Sequence, residues 1–117
     1  MYNENNVFFK ILNSQLSCQK ISENDVALAF PDINPLCKTH VLVITKGRYS
    51  DFADFSQNAP TEEVKKFFDS VAQVAEKLGL TQNGYRIVTN LGKDAGQEVR
   101  HFHVHILGGE KLPGVLG

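Results

Sequence analysis

Three of the four histidines in this chain alternate with large apolar residues in one heptapeptide, HFHVHIL at residues 101–107. Because successive side chains of a β-strand point to opposite faces, this pattern predicts a strand with a row of imidazoles on one face. Phe102, Val104 and Ile106 would then face a core. The unperturbed pKa of imidazole lies close to neutrality, so such a row can act as nucleophile, base or acid. The heptapeptide therefore predicts a site of chemistry.

Three interpretations of this row involve no covalent chemistry. The histidines could be structural residues on a solvated sheet face, or an expression tag, although tags are terminal and contiguous whereas this row is internal. They could also bind a metal. A strand rises about 3.3 Å per residue, so His101 and His105 start about 13 Å apart and cannot share one zinc ion with Zn–N bonds of about 2.1 Å. At most two of the row, with His40 or a carboxylate, could hold an ion.

The fourth interpretation is a covalent nucleophile with orienting and proton-handling neighbours. A phosphoryl centre suits it, since a neutral imidazole attacks without bringing negative charge towards an anion. The preceding loop, GKDAGQE at residues 92–98, has small residues that allow backbone N–H groups to turn inwards and cradle an anion. It is not a Walker loop, because G-x-x-x-x-G-K-[ST] is absent. A glycine-rich turn is weak evidence alone, but beside the histidines it favours phosphoryl chemistry.

The composition restricts the class of protein. With 117 residues, the chain is long enough for one domain, residues 1–117, and too short for two. Its net charge of −1 offers no broad basic field for nucleic acid. Two cysteines and no Cys-x-x-Cys favour a reducing, cytoplasmic setting. The start predicts no signal peptide, and no apolar run could span a bilayer, so we expect neither nucleic acid nor membrane as a partner.

The elements that must position the row follow from periodicity and turn residues. A long helix is predicted over residues 61–79, because Glu62 and Glu63 lie in its first turn and Gly79 supplies a stop. Its apolar positions spread over roughly 160°, so it packs either in a deep groove of the monomer or on both its own sheet and a partner chain. The other predicted elements are a helix at residues 7–12, strands at 18–21, 26–30, 40–45 and 85–90, and a polar turn at 22–25. The stretch at 49–56 is ambiguous, with a short helix as one interpretation. Strands with one main helix predict an α+β domain on an antiparallel sheet.

The heptapeptide resembles the mark of the histidine triad (HIT) superfamily, His-φ-His-φ-His-φ-φ with φ apolar. The flanking AGQEV at residues 95–99 and LGG at 107–109 resemble the Hint branch in its bacterial form. Further matching segments are AFPDINP at residues 29–35, THVLVI at 39–44 and NLGKD at 90–94. The resemblance covers about residues 7–109 and leaves a short tail at 110–117. It implies a HIT-like five-stranded antiparallel sheet with one long helix and a short N-terminal helix, continued across a homodimer.

The resemblance implies a nucleotide hydrolase or transferase that works through a nucleotidyl-histidine intermediate. His103, the middle histidine, would attack the α-phosphorus, and the backbone carbonyl of His101 would hold its Nδ1–H so that Nε2 is free. His105 and His40 would contact the phosphate and flank the nucleophile. Glu98 is assigned as the proton donor for the leaving group from its position alone.

The same resemblance implies a phosphate-binding set. Asn90, Gln97 and main-chain N–H groups near Gly96 and Val99 would bind phosphate oxygens, preorganised for developing charge.

For the nucleoside, Asp32 would accept hydrogen bonds from both ribose hydroxyls, although after Pro31 it could equally be a turn residue that bonds its own backbone. The purine base would lie between apolar side chains, those of Val7, Phe8, Phe30, Ile33 and Leu42. For Phe30 and Leu42, ordinary core packing is the alternative.

Departures from the family pattern bear on metals. Some bacterial relatives hold a structural zinc with an N-terminal Cys-x-x-Cys, a later histidine and the first triad histidine. Here the corresponding positions carry Asn6, Phe9 and Arg48, so we predict no zinc, and the implied chemistry requires no other metal or organic cofactor.

The predicted function is hydrolysis of the P–N bond of adenosine or guanosine 5′-phosphoramidates, a purine nucleoside phosphoramidase activity, by a cytoplasmic homodimer. Alternatives are a dinucleoside polyphosphate hydrolase of the same superfamily and a nucleotide-binding adaptor with incidental catalysis. A metal-binding protein that uses His40, His101 and His103 is a further alternative.

Overall fold

The computed structural model describes residues 2–114; Met1 and residues 115–117, the end of the predicted tail, lie outside the described residues. The elements in chain order are α1 (Val7–Leu12), β1 (Ser22–Glu23), β2 (Ala27–Pro31), β3 (Thr39–Thr45), α2 (Phe52–Asn58), α3 (Thr61–Lys77), β4 (Tyr85–Val88) and β5 (His103–Gly108). The strands form one antiparallel sheet of five, in the order β1-β2-β3-β5-β4. The predicted α+β class, with this sheet, one long helix and a short N-terminal helix, is confirmed. No helix within residues 2–114 combines the length and apolar character needed to cross a bilayer.

Different helices cover the two faces of the sheet. On one face, α2 and α3 bury a core that includes Phe55, Phe67 and the three apolar residues between and after the histidines, Phe102, Val104 and Ile106. On the other face, α1 packs Phe8 in a second buried cluster with Leu28, Phe30, Leu42 and Ile44. Because side chains alternate along β5, its histidines lie on the face covered by α1.

The long helix α3 buries one side of its apolar arc within the monomer. Phe67, Val71 and Val74 are buried, and Val64 and Phe68 are partly buried against the same core. Most of the broad arc is therefore covered by the chain's own sheet, and the homodimer stays a prediction.

The first strand is placed differently from the prediction. Residues 18–21 were predicted as a strand and 22–25 as a turn, but β1 comprises Ser22–Glu23. The turn centres on Asn24, whose side-chain Oδ1 accepts hydrogen bonds from two following backbone N–H groups, each at 2.9 Å. The predicted position of this strand was wrong because Ser22 and Glu23 pair with β2 through their backbone groups. A pattern of hydrophobic side chains does not report such pairing.

The histidine strand begins at His103, two residues later than predicted. Before it, the Phe102 N–H donates to the Tyr49 carbonyl at 2.7 Å, and the Thr45 N–H donates to the Phe102 carbonyl at 3.4 Å. These bonds hold the chain beside the end of β3, and His101 lies in this stretch, ahead of the strand.

Gly109 closes β5 in a conformation that we expect to be intolerant of a side chain. Its φ is +83°, and a Cβ there would lie 2.7 Å from Thr39 Oγ1. Gly109→Ala should therefore lower the free energy of unfolding by about 1–2 kcal/mol, measured by urea denaturation. Gly114→Ala is the matched control, because a Cβ at Gly114 meets nothing within 4 Å. Equal stability of the two variants would contradict the expectation.

Candidate active site

A cavity of about 500 Å³ opens on the face of the sheet that α1 covers. Every residue predicted for the site lines it except His101; they are His40, His103, His105, Glu98, Val7, Phe8, Phe30, Asp32, Ile33, Leu42, Asn90, Gly96, Gln97 and Val99. Ile11, Asn34 and Leu36 line it as well and were not predicted. Helical spacing from Val7 and Phe8 could have indicated Ile11, whereas no sequence signal marks Leu36.

His103 is held with one ring nitrogen free. Its Nδ1 lies 2.6 Å from the backbone carbonyl oxygen of His101, and since a carbonyl only accepts, Nδ1 carries the proton. Nε2 of the neutral ring therefore keeps its lone pair. The side chain is 8% exposed and the Phe8 ring packs edge-on against it at 4.9 Å between centroids. Burial lowers the pKa of His103, which favours the neutral, nucleophilic form.

His101 is fully buried and its ring does not line the cavity. Its Nε2 lies 2.7 Å from the Thr45 carbonyl oxygen, and its Nδ1 lies 2.5 Å from the hydroxyl of Tyr2. Burial lowers the pKa of His101 to about 4, so the ring is neutral near pH 7. The predicted row of three imidazoles is thus present in the cavity as two rings, and His101 contacts one of them, His103, through its backbone carbonyl.

His40 and His105 form a hydrogen-bonded pair in the cavity, with His40 Nε2 2.9 Å from His105 Nδ1. The backbone N–H of Leu36 donates to His40 Nδ1 at 3.0 Å, so the proton of neutral His40 is on Nε2 and is donated to His105. His105 then carries its own proton on Nε2. Burial, together with the neighbouring His103 and His40, lowers the pKa of His105 to about 4, so this ring is a neutral hydrogen-bond donor.

Asp32 adjoins this pair. Its Oδ2 lies 3.4 Å from His40 Nε2 and 4.0 Å from His105 Nδ1, while its Oδ1 accepts from the Asn34 N–H at 2.8 Å. The turn interpretation of Asp32 therefore holds for one oxygen, and the other faces the histidines.

Asp32, His40 and His105 present ligand atoms within 4.8 Å of one another, close enough to hold a metal ion. The hydrogen bonds argue against this use, because the Nε2 that His40 would offer carries its only proton. The metal set of His40, His101 and His103 is not assembled, since Tyr2 and Thr45 engage both ring nitrogens of His101.

The Gln97 side chain braces the loop before β5. Its Nε2 donates to the carbonyls of Ser50 and Val99, at 2.8 and 3.1 Å, and its Oε1 accepts from the Gly92 N–H at 2.9 Å. Since both amide protons are already engaged, the side chain shapes the loop, and direct phosphate binding by Gln97, which would have to replace one of these bonds, stays a prediction.

The loop's free donors lie after Gly96. The Gly96 N–H is engaged with the Lys93 carbonyl at 3.1 Å, and phosphate binding by main-chain N–H groups near Gly96 stays a prediction. Glu98 and Val99 line the cavity, and their backbone N–H groups have no acceptor among residues 2–114. Within the same residues, the Asn90 side chain is not hydrogen bonded and also lines the cavity.

Apolar side chains form the rest of the wall in two groups. Phe8, Phe30 and Leu42 are buried members of the cluster beneath α1, so the core-packing alternative applies to Phe30 and Leu42 although both also line the cavity. Val7 and Ile33, 41% and 91% exposed, stand at its mouth. The cavity thus combines an apolar side with a polar side of histidines and loop N–H groups.

Comparisons with known proteins bear on the family of the chain. A family model described as HIT domain matches residues 13–112. The purine nucleoside phosphoramidase of Escherichia coli strain K12 is 32% identical over 113 residues, which cover 97% of this chain and 94% of that enzyme. An uncharacterized HIT-like protein of Rickettsia prowazekii is 45% identical over 116 residues, 99% of this chain and 97% of its own length. A solved HIT family hydrolase from Clostridium thermocellum has a TM-score of 0.88 and 34% identity, with 97% of this chain and 98% of that chain covered. These similarities support a hydrolase.

Proposed function

The chain belongs to the HIT domain family, and we propose that it is a purine nucleoside phosphoramidase that works through a nucleotidyl-histidine intermediate. The observation that carries the proposal is the orientation of His103. The bond from its Nδ1 to the His101 carbonyl leaves Nε2 as a lone pair on a neutral ring beside a cavity. A substrate phosphorus placed there meets a nucleophile that needs no deprotonation.

The proposed reaction has two steps. In the first, the Nε2 lone pair of His103 attacks the α-phosphorus, the P–N bond to the amine breaks, and the amine takes a proton from the Glu98 carboxyl group. In the second, water attacks the same phosphorus, the P–Nε2 bond breaks, and the Glu98 carboxylate takes a proton from the water. The nucleoside monophosphate leaves and His103 is neutral again. The His101 carbonyl stabilises the positive charge that the ring carries between the steps.

Hydrogen-bond donors around the cavity suit the phosphate. The Nε2–H of His105, the side chain of Asn90 and the free N–H groups of Glu98 and Val99 would bind its oxygens. His40 orients His105 through their hydrogen bond.

On the apolar side, the purine would lie among Val7, Phe8 and Ile33, which give affinity with little discrimination between bases. The Oδ2 of Asp32, which the turn does not use, would accept from ribose hydroxyls.

A homodimer is part of the proposal. The strand β4 is the edge of the sheet next to β5 and exposes Tyr85 and Ile87. An edge with unpaired backbone groups and apolar side chains suits pairing with a second copy.

Trapping the intermediate tests the proposed function. The protein is mixed with adenosine 5′-phosphoramidate carrying a labelled adenosine, quenched within one turnover in base, which preserves P–N bonds to histidine, and analysed by peptide mass spectrometry. We expect the adenylyl group on His103. A label on another residue, or no covalent label during rapid turnover, would contradict the mechanism. Parallel kinetics with a diadenosine polyphosphate separates the related hydrolase activity.

A further inference from the structure

The segment that precedes α1, residues 2–6, contacts His101, whose carbonyl binds the nucleophile His103. This segment lies outside residues 13–112, the part of the chain that the family model matches. Tyr2 packs edge-on against the rings of His101 and Phe9, at 5.5 and 6.0 Å between centroids. Glu4 forms an ion pair with Arg48, whose guanidinium lies 5.0 Å from the centre of the Phe9 ring. The segment is therefore held at Tyr2 and at Glu4.

Each hydrogen bond at Tyr2 has a defined direction. His101 Nε2 donates to the Thr45 carbonyl, so Nδ1 of the neutral ring can only accept, and the Tyr2 hydroxyl donates to it. The hydroxyl oxygen in turn accepts from Asn6 Nδ2, 3.0 Å away. Burial raises the pKa of Tyr2, which keeps the donated proton on the hydroxyl.

Asn6 connects this chain of bonds to α1. Its Oδ1 caps the helix by accepting from the Phe9 N–H at 2.9 Å, while its Nδ2 also donates to the Asn3 carbonyl at 2.7 Å. The first turn of α1 carries Phe8, the ring packed on His103. One side chain thus holds both the tyrosine and the helix that packs on the nucleophile.

We propose that Tyr2 is a positioning residue for the reaction: its hydroxyl occupies Nδ1 of His101, keeps that nitrogen unprotonated and holds in place the residue whose carbonyl orients His103. The ring of His101 is buried and has three hydrogen-bond partners, the Tyr2 hydroxyl and the carbonyl and hydroxyl of Thr45. Without the Tyr2 hydroxyl, Nδ1 of His101 loses its donor and becomes free to take a proton. A cationic His101 beside His103 makes the nucleophile a weaker base. This role rests on the proposed function.

Two variants remove the same bond in different ways. Tyr2→Phe deletes the hydroxyl and keeps the ring. Asn6→Asp keeps an oxygen for the helix cap, since Asp caps as well as Asn, but its carboxylate accepts from the Tyr2 hydroxyl and competes with His101 for that proton. Glu4→Gln is the matched control, because it breaks the ion pair to Arg48 and leaves the hydroxyl in place.

We expect Tyr2→Phe and Asn6→Asp to lower kcat for adenosine 5′-phosphoramidate by about tenfold with KM within about twofold, and Glu4→Gln to match the wild type. The acid limb of the pH profile of kcat should move to higher pH in the first two variants. Long-range ¹H–¹⁵N NMR should show His101 as the Nε2–H tautomer in the wild type, and a raised pKa of His101 in both variants.

The NMR measurement does not depend on turnover, so this proposal and the proposed function fail in different experiments. Wild-type kcat together with unchanged His101 ring signals in Tyr2→Phe would overturn the positioning role. A lower kcat with unchanged His101 signals and pH profile would also overturn it, since that pattern reports general destabilisation. If Tyr2→Phe does not fold, Asn6→Asp decides by the same criteria. Absence of a label on His103 in the wild type would instead overturn the proposed function.

Discussion

Replacing His103 with alanine is expected to lower kcat for adenosine 5′-phosphoramidate by about four orders of magnitude, because it removes the group that forms the covalent bond. Neither neighbouring histidine can substitute. His105 accepts from His40 at Nδ1 and offers a proton at Nε2, and His101 is buried with both nitrogens engaged. Initial rates of nucleoside monophosphate release, measured over hours for the variant, test this expectation.

Two controls for His103→Ala distinguish loss of the nucleophile from loss of the folded site: nucleotide binding and rescue by imidazole. Nucleotide binding, measured by calorimetry with the nucleoside monophosphate, should stay within a few-fold of the wild type, because the cavity's other donors remain. The deleted ring leaves space next to Phe8, so added imidazole should restore part of the activity by attacking the phosphorus from that position. A variant that keeps more than a tenth of wild-type kcat without imidazole would show that another nucleophile, such as water, attacks directly.

Some of the fold followed from the sequence because it depends on alternation. The pattern of residues 101–107 places the intervening apolar residues in the core beneath α2 and α3, and the structure has them there. The long helix was predictable from its apolar arc and its acidic first turn. The edge strand β1 was not, since Ser22–Glu23 pairs through backbone groups and has no hydrophobic pattern.

The sequence indicated which segments line the cavity, but not how their polar groups are hydrogen bonded. The resemblance places residues 29–35 and 90–99 near the histidines, and the structure puts members of both segments on one cavity. It does not tell which donors remain free. The Gln97 side chain is hydrogen bonded to three backbone groups, and the N–H of Leu36 sets the tautomer of His40. Some of these hydrogen bonds, such as that from Gln97 to the Ser50 carbonyl, depend on distances between segments far apart in the chain, which a sequence pattern does not report.

The free energy of unfolding is expected to fall as the pH is lowered from 7 to 5, because buried histidines must stay neutral in the folded chain. The pKa of His101 is about 4 when folded, against about 6.5 when unfolded. Between these values the unfolded chain binds more protons, so stability decreases as pH falls through this window and the loss is complete below about pH 4. For His101 alone the loss between pH 7 and pH 5 is about 2 kcal/mol. The lowered pKa values of His103 and His105 add to it in the same direction.

This window separates the histidines from the acidic groups. Glu23, whose pKa is lowered to about 2 by its hydrogen bonds to Lys46 and Lys20, and Asp25, whose pKa is lowered by Lys66, lose their contribution only below about pH 4.5. Urea unfolding at pH 7 and pH 5, at one fixed protein concentration because a dimer would make stability concentration-dependent, therefore measures the histidine contribution. His101→Gln should show a loss smaller by about 2 kcal/mol, since glutamine does not titrate. An equal loss in the two proteins, or a titration of the His101 ring near pH 6.5 in the NMR spectrum, would mean that solvent reaches this ring. The buried support inferred for His103 would then be absent.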